Sequence, residues 1–495
     1  MPKRAKVQTP TTPQAKLNAV IKSARDAMRK DAGLNGDLDR IPQLAWLLFL
    51  KAFDGLEANR EVTERRYRPA IDSPYRWRDW AADPVNGRTG DELLSFISDE
   101  LLPYLRELKG TGTDDPRDVI AAVFKETFNR MLSGYLLRDV VNKIDQVNFA
   151  STDDIHTMAH LYESMLREMR DAAGDSGEFY TPRPVIRFMV QQIEPRLGEV
   201  VLDPACGTGG FLVETIEHLR PQVQKAEDVR GIDLNVRGIE KKPLPYLLGM
   251  MNLLLHGVRQ PHIVRDNALR NPITEFRKAD RVEVVLTNPP FGGEEEAAIA
   301  GNFPESTAET AWLFLQLVMR RLHDGGRCGI VVPNGVLFDG GIGARIKQKL
   351  LTDCNLHTVV RLPQGVFAPY TPIPTNLLFF EKTGRTKEVW FYELPLPEGR
   401  KGYAKTRPLR FEEFADCQKW WGGSERTSRQ VTGQAWRVPI ASIESNGWDL
   451  DLKNPNRPDD LAHRPPEELL SEMVRAEREI LDLLRQIQVE IGTVR

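Results

Sequence analysis

The sequence predicts a doubly wound, Rossmann-like α/β sheet, preceded by a helical domain and followed by a helical tail. In the middle of the chain, short β-branched runs alternate with helical stretches, which is the pattern of strands covered by helices on both faces. The predicted strands span residues 200–202, 230–232, 282–287, 328–332, 358–362 and 376–381. Ligands bind such sheets beyond the carboxyl ends of the strands, so we expect the functional residues at that edge.

Changes in composition divide the chain into regions. Residues 1–16 combine basic side chains with prolines and are expected to form a flexible basic tail. Residues 17–155 show apolar residues at helical spacing and no catalytic motif, which predicts a helical accessory domain. The α/β domain is placed at residues 156–385, and a loop-rich extension follows at residues 386–464. Residues 465–495 are predicted to form a final helix.

The charge balance limits the class of partner. The chain has 495 residues with 67 basic and 70 acidic side chains, a formal net charge of -3. A protein that grips nucleic acid alone usually carries a basic surplus. The balance therefore indicates either no nucleic acid or a partner that shares the contact. No secretory segment follows Met1 and no apolar run is long enough to span a bilayer, so we expect a cytoplasmic protein without a membrane partner.

The cysteine and histidine patterns predict no metal site. The four cysteines form no Cys-x-x-Cys pair, which indicates neither a zinc ribbon nor a disulfide framework. They are Cys206, Cys328, Cys354 and Cys417. His156 and His160 stand four residues apart, but the sequence shows no third ligand and no Glu directly after His156. Both are interpreted as helical surface or interface residues.

A glycine-rich loop follows the first predicted strand. Residues 203–211 read Asp-Pro-Ala-Cys-Gly-Thr-Gly-Gly-Phe, in which glycines let the backbone approach a ligand and the next helix offers free N–H groups. A dinucleotide fingerprint requires a glycine three positions after Gly209, where Leu212 stands, and no P-loop occurs. Asp203 adds negative charge, which suits a cationic or amino-acid-bearing ligand better than a phosphate.

Acidic positions farther along the chain extend this loop into a nucleoside pocket. Asp233 ends the second predicted strand, where an acidic side chain can accept from a ribose hydroxyl. Asp266 and Asn267 follow the next apolar segment and can meet a nucleobase edge. A nucleoside pocket without a phosphate site indicates S-adenosylmethionine as the cofactor.

The turn Asn288-Pro289-Pro290-Phe291 follows the predicted strand 282–287 directly. An amide oxygen and a backbone carbonyl can accept both N–H groups of a planar amino group, while the ring stacks on its face. The prolines fix φ and remove competing donors. The alternative interpretation is structural, because a proline-rich turn is a common end to a strand.

These motifs together resemble the cofactor and catalytic motifs of amino-group DNA methyltransferases. The closest resemblance is to the modification (methylase) subunit of type I restriction-modification systems, an N6-adenine DNA methyltransferase. Residues 177–185, Gly-Glu-Phe-Tyr-Thr-Pro-Arg-Pro-Val, resemble the extra cofactor motif of the class in which the cofactor motif precedes the catalytic one. Residues 251–257 and 361–367 support the resemblance, which is dense from about residue 156 to residue 382.

The resemblance implies the fold of a SAM-dependent methyltransferase and a set of cofactor-site residues from the extra motif, the glycine loop and the later acids. These residues are Glu178, Phe179, Tyr180, Thr181, Pro182, Arg183, Asp203, Gly207, Thr208, Gly209, Gly210, Asp233, Asp266 and Asn267. Family members usually carry Glu where Asp233 stands. Cys206 belongs to the loop motif and is interpreted as a small buried residue.

The resemblance also implies a catalytic mechanism at residues 288–291. Asn288 Oδ1 and the Pro289 carbonyl would accept the two hydrogens of the adenine N6 group and direct its lone pair towards the sulfonium methyl. A stacked base cannot reach such a pocket, so base flipping is implied. Phe291 would stack on the flipped base, and Phe367 is a candidate for the opposite face, with core packing as the alternative.

Other functions remain open on the sequence alone. The same turn serves methylation of RNA adenines and of glutamine side chains, and N4-cytosine methylation is a further rival. A structural subunit that only holds a DNA-binding assembly together is the alternative from a different class. The extra motif at residues 178–183 and the long helical N-terminal region favour DNA.

The expected partners follow from the resemblance and from the charge. Two type I modification subunits flank one specificity subunit on double-stranded DNA, and a restriction subunit joins them. The chain shows no independent base-reading domain, which indicates that sequence recognition belongs to another subunit. A heptad stripe near the C-terminus is the candidate for docking to the specificity subunit, and packing on its own domain is the alternative. The stripe consists of Leu470, Met473, Ile480, Leu484, Ile487 and Ile491.

Overall fold

The computed structural model has the predicted architecture, a helical N-terminal domain followed by an α/β domain around one mixed sheet of nine strands. The residues that the structure describes are 13–111, 115–146, 181–368, 371–404 and 406–456, with 474, 475, 477, 478, 480 and 481 near the C-terminus. Among these residues, no helix is both long and apolar enough to cross a membrane.

The helical domain is built around its longest helix, α2. Every residue from Leu44 to Leu50 is at most 2% exposed, so this part of α2 is buried on all sides, as expected for a helix at the centre of a bundle. Its helices are α1 (Pro13–Met28), α2 (Asp37–Thr63), α3 (Trp77–Trp80), α4 (Gly90–Ser95), a π-helical segment (Phe96–Leu101), α5 (Leu102–Glu107), α6 (Arg117–Phe124) and α7 (Gly134–Asp145).

The nine strands form one sheet in the order β3-β2-β1-β4-β5-β7-β6-β8-β9. The first five strands in this order are parallel, β7 runs antiparallel between β5 and β6, and β9 runs antiparallel at the far edge. The strands are β1 (Val201–Asp203), β2 (Val236–Glu240), β3 (His262–Arg265), β4 (Val282–Thr287), β5 (Leu322–Pro333), β6 (Asn355–Arg361), β7 (Thr375–Glu381), β8 (Glu388–Glu393) and β9 (Ala435–Pro439).

The helices of the α/β domain cover this sheet. They are α8 (Arg183–Ile193), α9 (Gly210–Leu219), α10 (Ala226–Asn235), α11 (Pro243–Leu255), α12 (Ala297–Ala300), α13 (Thr310–Arg321), α14 (Gly335–Phe338), α15 (Ile342–Asp353), α16 (Ala415–Trp421) and α17 (Ile440–Ser445). Short 3-10 segments lie at Arg220–Gln222, Ile273–Glu275, Lys278–Asp280 and Phe411–Phe414.

The strand order reverses between β1 and β4. Val201 pairs with Val284 and Leu202 with Val285, so the two strands run side by side and their carboxyl ends meet. In doubly wound sheets, the crevice at this reversal is the place where ligands bind.

The predicted strand at residues 230–232 is wrong. These residues lie in α10, and the strand that pairs with β1 is β2, seven positions farther along. The sequence contains two similar segments, Val-Arg-Gly-Ile-Asp at 229–233 and Val-Arg-Gly-Ile-Glu at 236–240. The first is helical because the Asp228 carboxylate accepts from the N–H of Gln224 and Lys225, which starts α10.

The region predicted to be loop-rich, residues 386–464, contributes two strands to the sheet. Strand β8 pairs with β6 and β9 pairs with β8. Val389 and Phe391 are fully buried, and the Phe391 ring stacks on Trp436 at 5.2 Å between centroids. Tertiary pairing therefore gives this segment a structure that its Pro- and Gly-rich flanks did not predict.

The C-terminal stripe lies almost entirely outside the described residues. Ile480 is described, and it is helical and exposed. The other stripe residues fall outside the described part of the chain, as do Glu178, Phe179 and Tyr180 of the extra cofactor motif.

The two similar segments allow a matched test of the strand assignment. A Cβ on Gly238 would lie 2.8 Å from both Cys206 Sγ and Leu212 Cδ1, whereas a Cβ on Gly231 would meet nothing within 4 Å. We expect G238A to lower the free energy of unfolding by roughly 1–3 kcal/mol through overpacking. G231A should be neutral or slightly stabilising, because alanine favours the helix. Thermal unfolding of both variants checks this, and a larger loss in G231A would contradict the strand assignment.

Candidate active site

The carboxyl ends of β1 and β4 are joined by a buried hydrogen bond between side chains. Thr287 Oγ1 donates to Asp203 Oδ1 at 2.7 Å, and the Ala205 N–H donates to the same oxygen at 3.1 Å. Asp203 is 2% exposed and Thr287 is fully buried. This contact ties the glycine loop, which starts at Asp203, to the Asn-Pro-Pro-Phe turn, which starts one residue after Thr287.

The burial of Asp203 changes its acidity. Desolvation raises the pKa of the carboxyl from an ordinary value of 3.8 to about 7, while the bonds from Thr287 and Ala205 act in the opposite direction. The nearby Glu240 carboxylate raises the pKa further. Asp203 therefore lies in a region that disfavours its own negative charge. A cation placed there would favour the ionised carboxylate.

The glycine loop wraps tightly against α11. Gly207 and Gly209 adopt φ values of 52° and 80°, in the left-handed region that favours glycine. A Cβ on Gly249 of α11 would lie 3.1 Å from the Gly207 carbonyl oxygen. Asn252 Nδ2 of the same helix donates to the Thr208 carbonyl at 3.0 Å. Cys206 is buried in the loop, and burial raises the pKa of its thiol well above its ordinary value.

Glu240 is the acidic residue that ends β2, and sequence reasoning missed it. Its carboxylate accepts from the Gly207 N–H at 2.9 Å and from the Lys242 N–H at 2.7 Å. Burial raises the pKa of Glu240, and these backbone bonds oppose the rise. The signal that identifies it in the sequence is the second Val-Arg-Gly-Ile segment, which ends in Glu rather than Asp.

Asp233, predicted to occupy that position, lies elsewhere. It belongs to α10, and its carboxylate Oδ2 accepts from the Arg259 N–H at 3.2 Å. The prediction that it ends a strand is wrong because the helix, not the strand, contains the first of the two similar segments.

A cavity of about 300 Å³ opens beside Glu240 at this edge of the sheet. Its walls come from the loops that follow β1, β2, β3 and β4 and from α13. The lining residues are Pro204, Ala205, Glu240, Lys241, Lys242, Asp266, Asn267, Ala268, Pro290, Gly293, Glu294, Glu295, Thr310 and Phe314. The structure thus brings the predicted residues Asp266, Asn267 and Pro290 to one cavity.

A polar cluster forms one wall of this cavity. Lys241 Nζ lies 2.7 Å from Glu295 Oε1, and Asn267 Nδ2 lies 3.4 Å from both Glu295 oxygens. The Asp266 N–H donates to the Glu240 carbonyl at 3.1 Å. These contacts hold the segment after the Asn-Pro-Pro-Phe turn against the ends of β2 and β3.

The described part of the extra motif lies at the start of α8. Pro182 precedes the helix, and Arg183 is its first residue. Arg183 Nη1 is 3.4 Å from the Gly210 carbonyl and 3.6 Å from Glu214, so it faces helix α9. Burial lowers the pKa of Arg183 to about 10, and Glu214 opposes that change.

In the Asn-Pro-Pro-Phe turn, one amide atom of Asn288 is bonded and the other has no partner among the described residues. Asn288 Nδ2 donates to Thr181 Oγ1 at 2.9 Å, whereas Asn288 Oδ1 is buried and has no hydrogen-bond partner among the described residues. The Pro290 carbonyl accepts from Thr310 Oγ1 at 2.9 Å. An acceptor that is buried and unpaired costs about 1–3 kcal/mol, so a donor that reaches it gains that energy.

Two aromatic rings flank the turn. Phe291 is half-buried, and its ring centroid lies 6.1 Å from that of Phe367 at an interplanar angle of 66°. Phe367 is 3% exposed and packs in the core with Leu362 and Val366. The two rings therefore meet in an edge-to-face arrangement, with Phe367 on the core side of the turn.

Comparison with known proteins places the chain in a family. The family described as N-6 DNA Methylase matches residues 153–463, and the HsdM N-terminal domain matches residues 17–144. These matches define the class: the chain is an N6-adenine DNA methyltransferase. It belongs to the methylase subunits of type I restriction enzymes, as the relatives below show.

The relatives match nearly the whole chain. The EcoEI type I methylase subunit of Escherichia coli is 46% identical over 96% of this chain and 98% of its own length. The EcoKI methylase subunit of Escherichia coli strain K12 is 30% identical over 82% and 77%. The crystal structure of a modification subunit of a putative type I restriction enzyme from Vibrio vulnificus YJ016 is 53% identical, covers 92% of this chain and 100% of that one, and superposes with a TM-score of 0.84.

The raised pKa of Asp203 predicts a pH-dependent difference in stability. A carboxyl whose pKa rises on folding adds stability that is present below 3.8 and is lost as the pH rises through about 7. Asparagine at this position does not titrate and keeps an oxygen for Thr287. We expect wild type to lose several degrees of unfolding midpoint relative to D203N between pH 5 and pH 8. A difference that stays constant across this range would contradict the account.

Proposed function

We propose that the chain transfers the methyl group of S-adenosylmethionine to N6 of a flipped adenine in double-stranded DNA, at a sequence chosen by a separate specificity subunit. The observation that carries this proposal is Asn288 Oδ1, which is buried and has no hydrogen-bond partner among the described residues, in a turn whose Pro290 lines a nucleoside-sized cavity. A buried acceptor beside two prolines, which have no N–H to donate, suits an amino group.

Asn288 Oδ1 and the Pro289 carbonyl act on the amino nitrogen that attacks the methyl group. The lone pair of an aromatic amino nitrogen is delocalised into its ring, which makes the nitrogen a poor nucleophile. Hydrogen bonds from the amino group to Asn288 Oδ1 and the Pro289 carbonyl draw its protons to one side and localise the lone pair on the other. The chain then catalyses a direct displacement by positioning and by fixed dipoles, without a covalent intermediate.

The residues around the cavity fit S-adenosylmethionine. The cofactor supplies an electrophilic methyl group on a sulfonium. Glu240 would hold the ribose hydroxyls, because its carboxylate oxygens can accept further hydrogen bonds beside those from the backbone N–H groups of Gly207 and Lys242. Asp266 and Asn267 would meet the adenine edge, and the glycine loop with Asp203 would hold the cationic amino-acid part.

The aromatic residues serve the target base. Phe291 would stack on the extruded adenine, because stacking on an aromatic ring is favourable for any base with a π face. Phe367 would keep the Phe291 ring in place from the core rather than stack directly. Extrusion into such a pocket is the general solution for enzymes that modify a base.

The partners proposed for the chain are a specificity subunit, a second modification subunit and a restriction subunit. A chain 41% identical to this one, with a TM-score of 0.76, comes from work on complex assembly and conformational transition of the type I R-M system. The net charge of -3 supports a subunit that shares its grip on DNA. The exposed helical residue Ile480 supports docking through the C-terminal stripe.

Replacing the acceptor should remove catalysis and leave cofactor binding. N288A deletes Oδ1, so we expect methyl transfer to fall by a factor of about 100 or more, the loss typical of one preorganised polar group. Tritiated methyl transfer to DNA and calorimetric binding of S-adenosylmethionine measure the two properties. N446A, at an exposed asparagine, is the control. Retained turnover in N288A would refute the proposed mechanism.

A second pair of variants tests the ribose contact. E240Q removes one acceptor and the charge, so we expect S-adenosylmethionine to bind about tenfold more weakly or worse, the effect of losing a charged hydrogen bond. D233N should leave the affinity unchanged because Asp233 lies on α10 and its carboxylate accepts from the Arg259 N–H. Isothermal titration of both variants decides between the two acids. Weak binding in D233N with normal binding in E240Q would contradict the assignment.

A further inference from the structure

We infer that Asn252 is a positioning residue that holds the glycine loop in the conformation that binds the cofactor. The inference rests on the proposed function, because it concerns the affinity for S-adenosylmethionine, and it assigns a role to a residue of α11 that lies outside the loop. Its basis is the hydrogen bond from Asn252 Nδ2 to the Thr208 carbonyl at 3.0 Å.

The amide of Asn252 can make this contact in only one orientation. A carbonyl oxygen accepts hydrogen bonds and cannot donate, so the amide nitrogen must face Thr208. The amide oxygen is then left over: Asn252 is 1% exposed, and its Oδ1 is buried without a partner among the described residues. A buried acceptor without a partner is unfavourable for folding. The contact that Nδ2 makes with the loop is therefore the feature that explains an asparagine at this position.

The part of the loop that Asn252 holds lies between two glycines. Gly207 and Gly209 adopt φ values of 52° and 80°, and glycine loses more conformational freedom on folding than any other residue. The peptide group between Thr208 and Gly209 is planar, so fixing its carbonyl also fixes the direction of the Gly209 N–H. Helix α9 begins at the next residue, Gly210. Asn252 thus sets the backbone that leads into the start of α9, where the first N–H groups have no partner within the helix.

Helix α11 is a firm support for this contact. A Cβ on Gly249, one turn before Asn252, would lie 3.1 Å from the Gly207 carbonyl oxygen, so the helix lies directly against the loop. Leu254 of α11 is 3% exposed and belongs to the same hydrophobic core as Leu47 of α2. The loop is therefore held by a helix that is itself fixed in the core.

This role differs from that of a cofactor ligand and from that of a catalytic residue. The residues that line the cavity beside Glu240 do not include Asn252, and its described side-chain hydrogen bond goes to the loop backbone. A loop that is held less firmly must become ordered when the cofactor binds, which lowers the affinity. Once the cofactor has bound, the loop is ordered again. A positioning role therefore predicts a change in cofactor Kd and no change in kcat at saturation.

The experiment compares N252A, which removes the amide, with T215A, a matched truncation on α9. Thr215 is also a fully buried polar residue, but its hydroxyl has no hydrogen-bond partner among the described residues. Each variant is purified with the specificity subunit. Calorimetry measures the Kd for S-adenosylmethionine, and methyl transfer to genomic DNA from a strain that lacks the system measures kcat at saturation. We expect the cofactor Kd of N252A to rise about tenfold, as for one lost hydrogen bond, with kcat unchanged. T215A should keep the wild-type values of both.

Each result decides the inference. A wild-type cofactor Kd in N252A would overturn it, and so would an equal rise of Kd in T215A or a fall in kcat without a change in Kd. If N252A does not fold, N252L takes its place, because leucine has the same branched shape and no donor. Failure of the proposed function is a different result: wild type would then bind no S-adenosylmethionine, or N288A would remain active.

Discussion

The pairing of β1 with β4 at the centre of the sheet is the constraint on which the rest of the site depends. It sets the end of one strand beside the end of the other, so that Thr287 can donate to Asp203 inside the core. The glycine loop begins on one side of this hydrogen bond and the Asn-Pro-Pro-Phe turn begins on the other. A shift of one residue in this register would turn these side chains to opposite faces of the sheet and separate cofactor from substrate.

The electrostatics of the site suit a cationic ligand. Burial raises the pKa values of both Asp203 and Glu240, which means that the folded chain holds two carboxyl groups in a region that disfavours their negative charge. A ligand with positive charge close by would stabilise the ionised forms. In the proposed function, the amino-acid end and the sulfonium of the cofactor provide that charge. A phosphate would increase the repulsion instead.

The sequence predicted the motifs well because they are local. The glycine loop and the Asn-Pro-Pro-Phe turn each directly follow a strand that the β-branched pattern identifies, and the structure has both strands. The predicted second strand was wrong because two similar segments lie seven residues apart. The Asp228 cap makes the first one helical, and pairing with β1 makes the second one a strand. Strands β8 and β9 were missed for the same reason, since their stability comes from pairing and from the Phe391–Trp436 stack. The contact between Thr181 and Asn288 depends on the complete fold, so local patterns contain no trace of it.

In the proposed function, this subunit recognises an amino group and the specificity subunit recognises the DNA sequence. Mapping of modified bases in a host that expresses this chain with its specificity subunit tests the central claim most directly. The account predicts N6-methyladenine at one sequence motif, and a different motif when a related specificity subunit replaces the first. N4-methylcytosine, or adenine methylation at a motif that stays the same after the exchange, would contradict it.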